Sequence, residues 1–297
     1  MKSKLMFILA MVIFGTIGIF VRFINLESSE IAMLRGLIGS LFLLLISLIR
    51  REKMALSSVR ENLLPLVFSG AVLAGNWIFL FEAIKHTTIA NATLSYYMAP
   101  VFVIGLSPLV LQEKIIPRKV ICLGAALVGM LLILKGSSQS GTVGNDLLGI
   151  AWGIAAAGCY ASLMLTNKFI KKMNGMATTL LQLSIATVVL FCYVSLNGGI
   201  AFSGLTAVSV TAVLALGLVH TGLGFFLFFT GMKGLNGQSI ATLSYIDPIT
   251  ALLASFLVFG EAMNGVQMLG AALLLGATFL GEHKTAKPPE LVGDEQM

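Results

Sequence analysis

The chain has 297 residues, of which 57% are hydrophobic and 11% are charged, and its formal net charge at pH 7 is +6. This composition excludes a soluble domain, because too few polar side chains are present to cover a surface in water, and the net charge does not indicate a nucleic-acid partner. Apolar runs of about 20 residues form helices that cross a hydrocarbon core roughly 30 Å thick. The predicted fold class is therefore an all-α protein of the lipid bilayer.

Hydrophobic runs predict ten transmembrane helices, joined by connections that are too short to hold a soluble domain. The predicted spans, in chain order, are 5–24, 31–49, 63–84, 89–111, 119–135, 147–170, 176–195, 208–230, 238–258 and 266–281. The first run is too long for a secretory signal peptide, and no small-residue cleavage site follows it. The polar segment 282–297 is predicted to be a disordered cytoplasmic tail.

Lysine and arginine are distributed unevenly between the two sides of the predicted bundle. With the N-terminus in the cytoplasm, 15 of the 19 basic residues lie on the cytoplasmic side; Arg22, Lys85 and Lys135 lie at outer ends, and Arg35 lies within span two. The positive-inside rule then predicts a multi-pass protein of the cytoplasmic (inner) membrane with both termini in the cytoplasm.

Two segments inside the predicted spans nearly repeat each other, about half the chain apart. Residues 92–100 read ATLSYYMAP, and residues 241–248 read ATLSYIDP. Pro100 and Pro248 end these segments, and both are candidate hinges because proline removes a backbone donor from a helix.

The duplication predicts two repeats of five helices, the first at 1–140 and the second at 141–281. Because five is an odd number, the second repeat enters the membrane from the opposite side, which gives a 5+5 inverted-topology repeat. A glutamate follows each proline after 13 residues, and we interpret Glu113 and Glu261 as structural residues at helix boundaries. Transporters with inverted repeats place the solute site near the midplane, between the repeats.

Two ionisable residues lie at midplane depth. A carboxylate such as Asp247, about halfway along span nine, costs about 2.5–3.5 kcal/mol to insert, so we expect it to face the solute or carry a proton. The alternative is a structural acid that satisfies the helix broken by Pro248. His220, in the middle of span eight, is expected either to hydrogen-bond Asp247 or the solute and titrate near neutral pH, or to bridge two helices.

Glu82, Arg35 and Arg22 lie at a similar depth near the outer ends of their spans. Opposite charges at one level of a membrane usually pair, so these residues are predicted to form an ion pair that fixes or gates the outer side. Direct contact with the solute is the less favoured alternative.

Aromatic and amide side chains at midplane depth are candidates for the wall of a solute cavity, because rings with polar tips suit a small organic solute. Besides His220 and Asp247, the predicted substrate-binding residues are Asn76, Trp77, Tyr96, Tyr97, Tyr160 and Tyr245. Trp77, Tyr97 and Tyr160 are favoured over Tyr96 and Tyr245, and ordinary packing must explain some members of the set.

Several short motifs together resemble the drug/metabolite transporter superfamily, specifically its EamA-type ten-helix members. The matching pieces are Phe14-Gly15 with Gly18, Arg35-Gly36, Phe81-Glu82-Ala83-Ile84-Lys85 and Phe259-Gly260-Glu261. Their order and the duplication extend the resemblance over residues 5–281. The resemblance implies transport of small solutes, often efflux of amino acids or other metabolites, without naming the solute.

We therefore predict a secondary transporter that moves a small organic metabolite, an amino acid or similar, by alternating access, with efflux favoured. The sequence contains no P-loop, zinc-protease or nucleophile-elbow motif, so no enzyme, cofactor or metal is predicted, and a gradient must supply the energy. Protons are a candidate coupling ion through Asp247 or His220. The alternatives are an importer or exchanger of the same fold, an intramembrane enzyme that uses Asp247 and His220, and a membrane scaffold. Both a monomer and a homodimer stay open.

Overall fold

The computed structural model describes residues 2–51, 55–87, 89–136, 146–200, 205–260 and 264–282. These residues form helices joined by turns and short connections, and none of the described residues lies in a β-strand. Glu261 and all but the first residue of the predicted tail lie outside the described ranges.

Fifteen α-helices occupy the described ranges, together with one 3₁₀ turn and one π-helix. They are α1 (Lys2–Gly15), α2 (Ile17–Val21), α3 (Ser28–Ile49), α4 (Leu56–Glu61), α5 (Leu63–His86), α6 (Ile89–Tyr96), α7 (Ala99–Val110), α8 (Pro117–Gly136), α9 (Asp146–Thr166), the 3₁₀ turn Asn167–Phe169, α10 (Gly175–Leu196), α11 (Ala207–Ala215), the π-helix Leu216–Leu223, α12 (Gly224–Lys233), α13 (Gly237–Leu243), α14 (Ile246–Phe259) and α15 (Gly265–Glu282). Each range predicted as a span is thus occupied by helix.

Within the described ranges, seven helical segments are long and apolar enough, by length and composition, to cross a membrane. They correspond to predicted spans one, two, three, six, seven, eight and nine. Spans four and ten correspond to shorter helices, namely α6 with α7 and α15, and span five corresponds to α8. The structure is therefore that of an all-α, multi-pass membrane protein.

Two helical segments are interrupted just before their prolines. A turn at 97–98 separates α6 from α7, and a turn at 244–245 separates α13 from α14. Pro100 and Pro248 lie in the first turn after each break. Backbone N–H groups in a first turn have no acceptor within the helix, so a proline there removes no helical hydrogen bond. The duplicated sequence therefore forms a duplicated break, because a helix cannot run through proline with continuous hydrogen bonding. Bending at these breaks stays a prediction.

Helices of each half of the chain pack mainly against helices of the other half. The first long helix of the first half, α1, packs on α12 and α14, and the first helix of the second half, α9, packs on α5, α6 and α7. Between these, α3 packs on α10, and α8 packs on α15. The first predicted span of either half thus contacts the third and fourth predicted spans of the other half.

The last helices of the halves, α8 and α15, cross in opposite directions and at close range. A Cβ atom at Gly129 would lie 2.7 Å from the Gly270 carbonyl oxygen, and one at Gly270 would lie 2.6 Å from the Gly129 carbonyl oxygen. Earlier in α8, Cys122 lies against Gly281, which is near the end of α15. Small residues allow this backbone contact, as is common between membrane helices.

Candidate functional site

A cavity of about 260 Å³ lies between helices of both halves. Its lining residues are Phe14, Ile17, Val21, Ser28, Ile31, Ala32, Arg35, Leu73, Asn76, Trp77, Leu80, Phe81, Tyr96, Tyr160, Phe225 and Asp247. The volume is below the roughly 300–1,000 Å³ of sites for drug-sized ligands, so the cavity suits a smaller solute.

Aromatic rings from five helical spans form much of the cavity wall. Phe225 contacts Phe14 of α1 with ring centroids 4.9 Å apart and meets Trp77 of α5 edge-on at 5.8 Å. Tyr160 stacks on Tyr96 with ring centroids 5.5 Å apart and an interplanar angle of 20°. These contacts involve rings of both halves and give the cavity a largely aromatic lining.

Arg35 and Asp247 are the charged residues of this lining. The guanidinium of Arg35 lies 4.1 Å from the ring centroid of Trp77, and its Nε–H group has no hydrogen-bond acceptor. Asp247 lies in the first turn of α14. Among the described residues, neither Arg35 nor Asp247 forms an ion pair, and no donor binds the carboxylate of Asp247. The cavity therefore presents one cation and one anion that are not neutralised by each other.

The cavity continues toward the ends of α3 and α5 that carry Ser28 and Phe81. A second cavity of about 560 Å³ lies there, lined by residues 25–30, 81, 84 and 85, and it shares Ser28 and Phe81 with the first. We call this end of the bundle the open end.

Glu82, near the open end, has different partners from those predicted. It accepts hydrogen bonds from the hydroxyl of Tyr193 at 2.8 Å and from Nζ of Lys85 at 3.0 Å, so it joins α5 to α10. The predicted ion pair with Arg35 or Arg22 is therefore wrong. Lys85, one turn along the same helix, already neutralises Glu82, while Arg22 is exposed and lies 4.1 Å from the ring centroid of Phe259.

The opposite end of the bundle, which we call the sealed end, is closed by hydrogen bonds between the halves. Both carboxylate oxygens of Glu113 accept from the N–H of Gly237, at 2.9 and 3.1 Å. The ammonium of Lys119, only 1% exposed, donates to Asn236 at 3.3 Å and to Ser239 at 2.7 Å. Glu113 and Lys119 thus hold the start of α13 from the first half, in line with the structural role predicted for Glu113.

Further bonds at the sealed end use backbone groups on both sides. The Gln238 side chain accepts from the Ile116 N–H at 3.0 Å and donates to the Lys114 carbonyl at 2.8 Å. Asn62 likewise donates to the Lys171 carbonyl at 2.8 Å and accepts from the Lys171 N–H at 2.9 Å. The halves are therefore fastened together at this end.

The predicted binding and coupling residues fall into two groups. Asn76, Trp77, Tyr96, Tyr160, Arg35 and Asp247 line the cavity, whereas Tyr97, Tyr245, His220, Glu82 and Arg22 do not. That the lining residues bind a solute stays a prediction. Tyr96 lines the cavity in place of the favoured Tyr97, and Tyr245 is fully buried with its hydroxyl 3.4 Å from the Tyr97 carbonyl.

His220 has the arrangement of a residue that bridges helices. It lies in the π-helix, and its Nε2 atom is 3.0 Å from the Thr16 hydroxyl, while its Nδ1 atom is 3.3 Å from the Ala215 carbonyl. Phe20 packs edge-on against its ring at 4.8 Å. The expected hydrogen bond to Asp247 is absent from the contacts of these described residues.

Several apolar lining residues were not predicted. Phe14, Ile17 and Val21 recur at helical spacing along the first span, and this periodicity is a signal that could have identified them. Phe225 lies in a stretch with four phenylalanines at 225–229, in which no sequence signal distinguishes the ring that faces the cavity. Among the described residues, no group of three or more His, Cys, Asp or Glu is placed to hold a metal ion.

Comparisons with known proteins agree over nearly the whole chain. The EamA-like transporter family matches residues 1–135 and 147–281. The chain is 29% identical to the uncharacterized transporter YxxF of Bacillus subtilis, over 92% of this chain and 87% of that protein. It is 23% identical to the threonine/homoserine exporter RhtA of Salmonella typhimurium, over 78% of this chain and 75% of that protein. A crystal structure of a protein that is 19% identical has the same fold, with a TM-score of 0.83 over 94% of this chain and 97% of that chain.

Proposed function

Since this chain belongs to the EamA-like transporter family, we propose that it is a secondary transporter that moves a small organic metabolite, an amino acid or similar, by alternating access. The observation that carries the proposal is the aromatic, charged cavity between the halves, which continues toward one end of the bundle and is closed at the other. Access to a central site from one side at a time is what each end state of such a transporter requires.

The proposed architecture is ten transmembrane helices in a 5+5 inverted repeat, with repeats at 1–140 and 141–281. The exchange of packing partners between the halves and the antiparallel crossing of α8 and α15 support it, because inverted repeats are related by a two-fold axis in the membrane plane. The halves would rock about the cavity, and the duplicated breaks before Pro100 and Pro248 would absorb the movement.

The proposed location is the cytoplasmic (inner) membrane, and the proposed orientation places both termini in the cytoplasm. The distribution of Lys and Arg supports this orientation. The sealed end is then cytoplasmic, and the cavity in this state faces the outside. Efflux is supported by the similarity to a protein named as a threonine/homoserine exporter. An importer or exchanger would use the same cycle in the other direction, and counterflow measurements would separate these cases.

Protons are the proposed coupling ion, and Asp247 is the proposed carrier. It is the acidic side chain of the cavity lining, whereas His220 faces Thr16 outside the lining. The alternative of an intramembrane enzyme loses support, because an acid–base pair of Asp247 and His220 would need both groups at one site, and only Asp247 lines the cavity.

The proposal is tested by tracer flux in proteoliposomes that contain the purified protein, with labelled amino acids and small metabolites. Wild type and Asp247→Asn are compared, each with and without an imposed pH gradient. We expect flux in wild type that responds to the gradient and a variant that has lost the response. Flux indifferent to the gradient would refute proton coupling, and absence of flux for every solute would count against transport.

A further inference from the structure

We propose that the cavity binds a zwitterion, with Arg35 holding the carboxylate of the solute and Asp247 holding its protonated amine. This assignment deepens the proposed function, on which it rests, because it names the class of solute. Its basis is a pair of opposite charges that face one cavity from different halves of the chain without pairing with each other.

Arg35 is held in place by Trp77 but is not neutralised by it. Its guanidinium carbon lies 4.1 Å from the ring centroid of Trp77. Trp77 is itself buried and packs edge-on against Phe225. Stacking uses the face of the planar guanidinium and leaves its edge N–H groups, which form two parallel bonds with a carboxylate. The Nε–H is buried without an acceptor. An unneutralised cation in an apolar wall is costly, so an anion that arrives with the solute would stabilise it.

Asp247 supplies the complementary end of the cavity. Within the described ranges, its carboxylate receives no hydrogen bond and has no cationic partner. An ionised carboxylate is an acceptor only, and a protonated amine is a donor only, so the two match each other without any further group. Because Asp247 lies on α14 and Arg35 on α3, a bound zwitterion would connect the second half of the chain to the first.

The remaining wall sets the limits on what can bind. The described lining carries one positive and one negative group, so a zwitterion satisfies both, whereas a solute with a single charge leaves one of them unpaired. Tyr160, Tyr96 and Phe225 add aromatic rings to the rest of the wall. A volume of about 260 Å³ suits a molecule of amino-acid size.

Binding can be measured without transport, because one of the two tryptophans of the chain lies at the site. Trp152 stacks on Phe79 away from the lining, so Trp152→Phe leaves Trp77 as the sole indole reporter, directly beneath Arg35. The purified protein in detergent is titrated with L-threonine, L-leucine and L-phenylalanine. Each is compared with its carboxamide, which lacks the anion, and with its N-acetyl derivative, which lacks the cation.

We expect at least one amino acid to change the Trp77 fluorescence and to bind at least about tenfold more tightly than either derivative. Arg35→Gln should abolish the preference for the carboxylate over the carboxamide and keep the preference for the free amine. Asp247→Asn should do the reverse. Arg35→Lys, which retains the charge, should keep part of the carboxylate preference and thereby show that the position tolerates substitution. Arg22→Gln, an arginine outside the lining, should change neither preference.

The assignment is overturned if a carboxamide or N-acetyl derivative binds as tightly as its parent amino acid, or if Arg35→Gln keeps the carboxylate preference. It is also overturned if no amino acid of the panel binds. Failure of this assignment can be distinguished from failure of the proposed function. If proteoliposomes transport a neutral or singly charged solute, the protein is a transporter, but its solute is not a zwitterion.

Discussion

The bond between Glu113 and Gly237 should set how often the sealed end opens. Both carboxylate oxygens accept from one backbone N–H at 2.9 and 3.1 Å, at the start of α13. A hydrogen bond to a charged group contributes about 1.5–3 kcal/mol, and the helix start adds about 0.3–1 kcal/mol for an acid. If opening breaks this bond, Glu113→Ala should favour the opened state by about 2 kcal/mol, which is a factor of about 30.

The assay is the labelling rate of a buried cysteine by a maleimide. Ser107 is fully buried beside Gly237, so Ser107→Cys reports opening of the sealed end, after Cys122, Cys159 and Cys192 are replaced by alanine. We expect Glu113→Ala to raise the labelling rate by about 10- to 100-fold.

The matched control for this prediction is Glu61→Gln. Glu61 is an acid at the same end, but its ion pair with Lys172, at 3.1 Å, is exposed, and such pairs contribute about 0–1 kcal/mol. A labelling rate that Glu113→Ala leaves unchanged, or that Glu61→Gln raises equally, would refute the reasoning.

Two further predictions concern packing and coupling. Gly270→Ala should lower the thermal midpoint of the purified protein, because the new Cβ would lie 2.6 Å from the Gly129 carbonyl oxygen and overpacking costs about 1–3 kcal/mol. Gly124→Ala, on α8 but with open space around it, should leave the midpoint unchanged, and equal midpoints for the two variants would contradict the α8–α15 crossing. His220→Gln should lower the midpoint by removing the contact with Thr16, yet leave the response of flux to a pH gradient intact; a lost response would return His220 to the coupling mechanism.

The positions of the helices could be predicted from the sequence because burial in a bilayer requires long apolar runs, and every predicted range is helical. The duplicated breaks before Pro100 and Pro248 could likewise be predicted, since the local chemistry of proline causes them. In these cases the deciding interaction lies within the segment itself.

The sequence did not allow us to predict how each helix is rotated about its axis or which distant residues its side chains contact. Tyr96 and Tyr97 are adjacent, and only the packing of α6 decides which ring reaches the cavity. His220 is turned toward Thr16 within a π-helix, for which no sequence signal was available. Glu113 meets a partner 124 residues away, so its role at the sealed end depends on the assembled halves.

The partners of Glu82 show a related limit. Three arginines or lysines lie at a similar depth near the outer side, and the sequence alone does not choose between them. Lys85 is selected because it lies one helical turn from Glu82, while the hydroxyl of Tyr193 arrives from another span. A local pair at i,i+3 forms without any constraint on how the helices assemble, which favours it over a pair between helices.

The most direct test of the central claim is counterflow in proteoliposomes with the cavity filled by mutation. Ala32 lines the cavity on α3, and Leu45 on the same helix is 56% exposed and outside the lining. With any solute that wild type exchanges, Ala32→Phe should lose counterflow while the matched Leu45→Phe retains it, at equal amounts of monodisperse protein. Counterflow that Ala32→Phe sustains at the wild-type rate would show that the solute does not pass through this cavity.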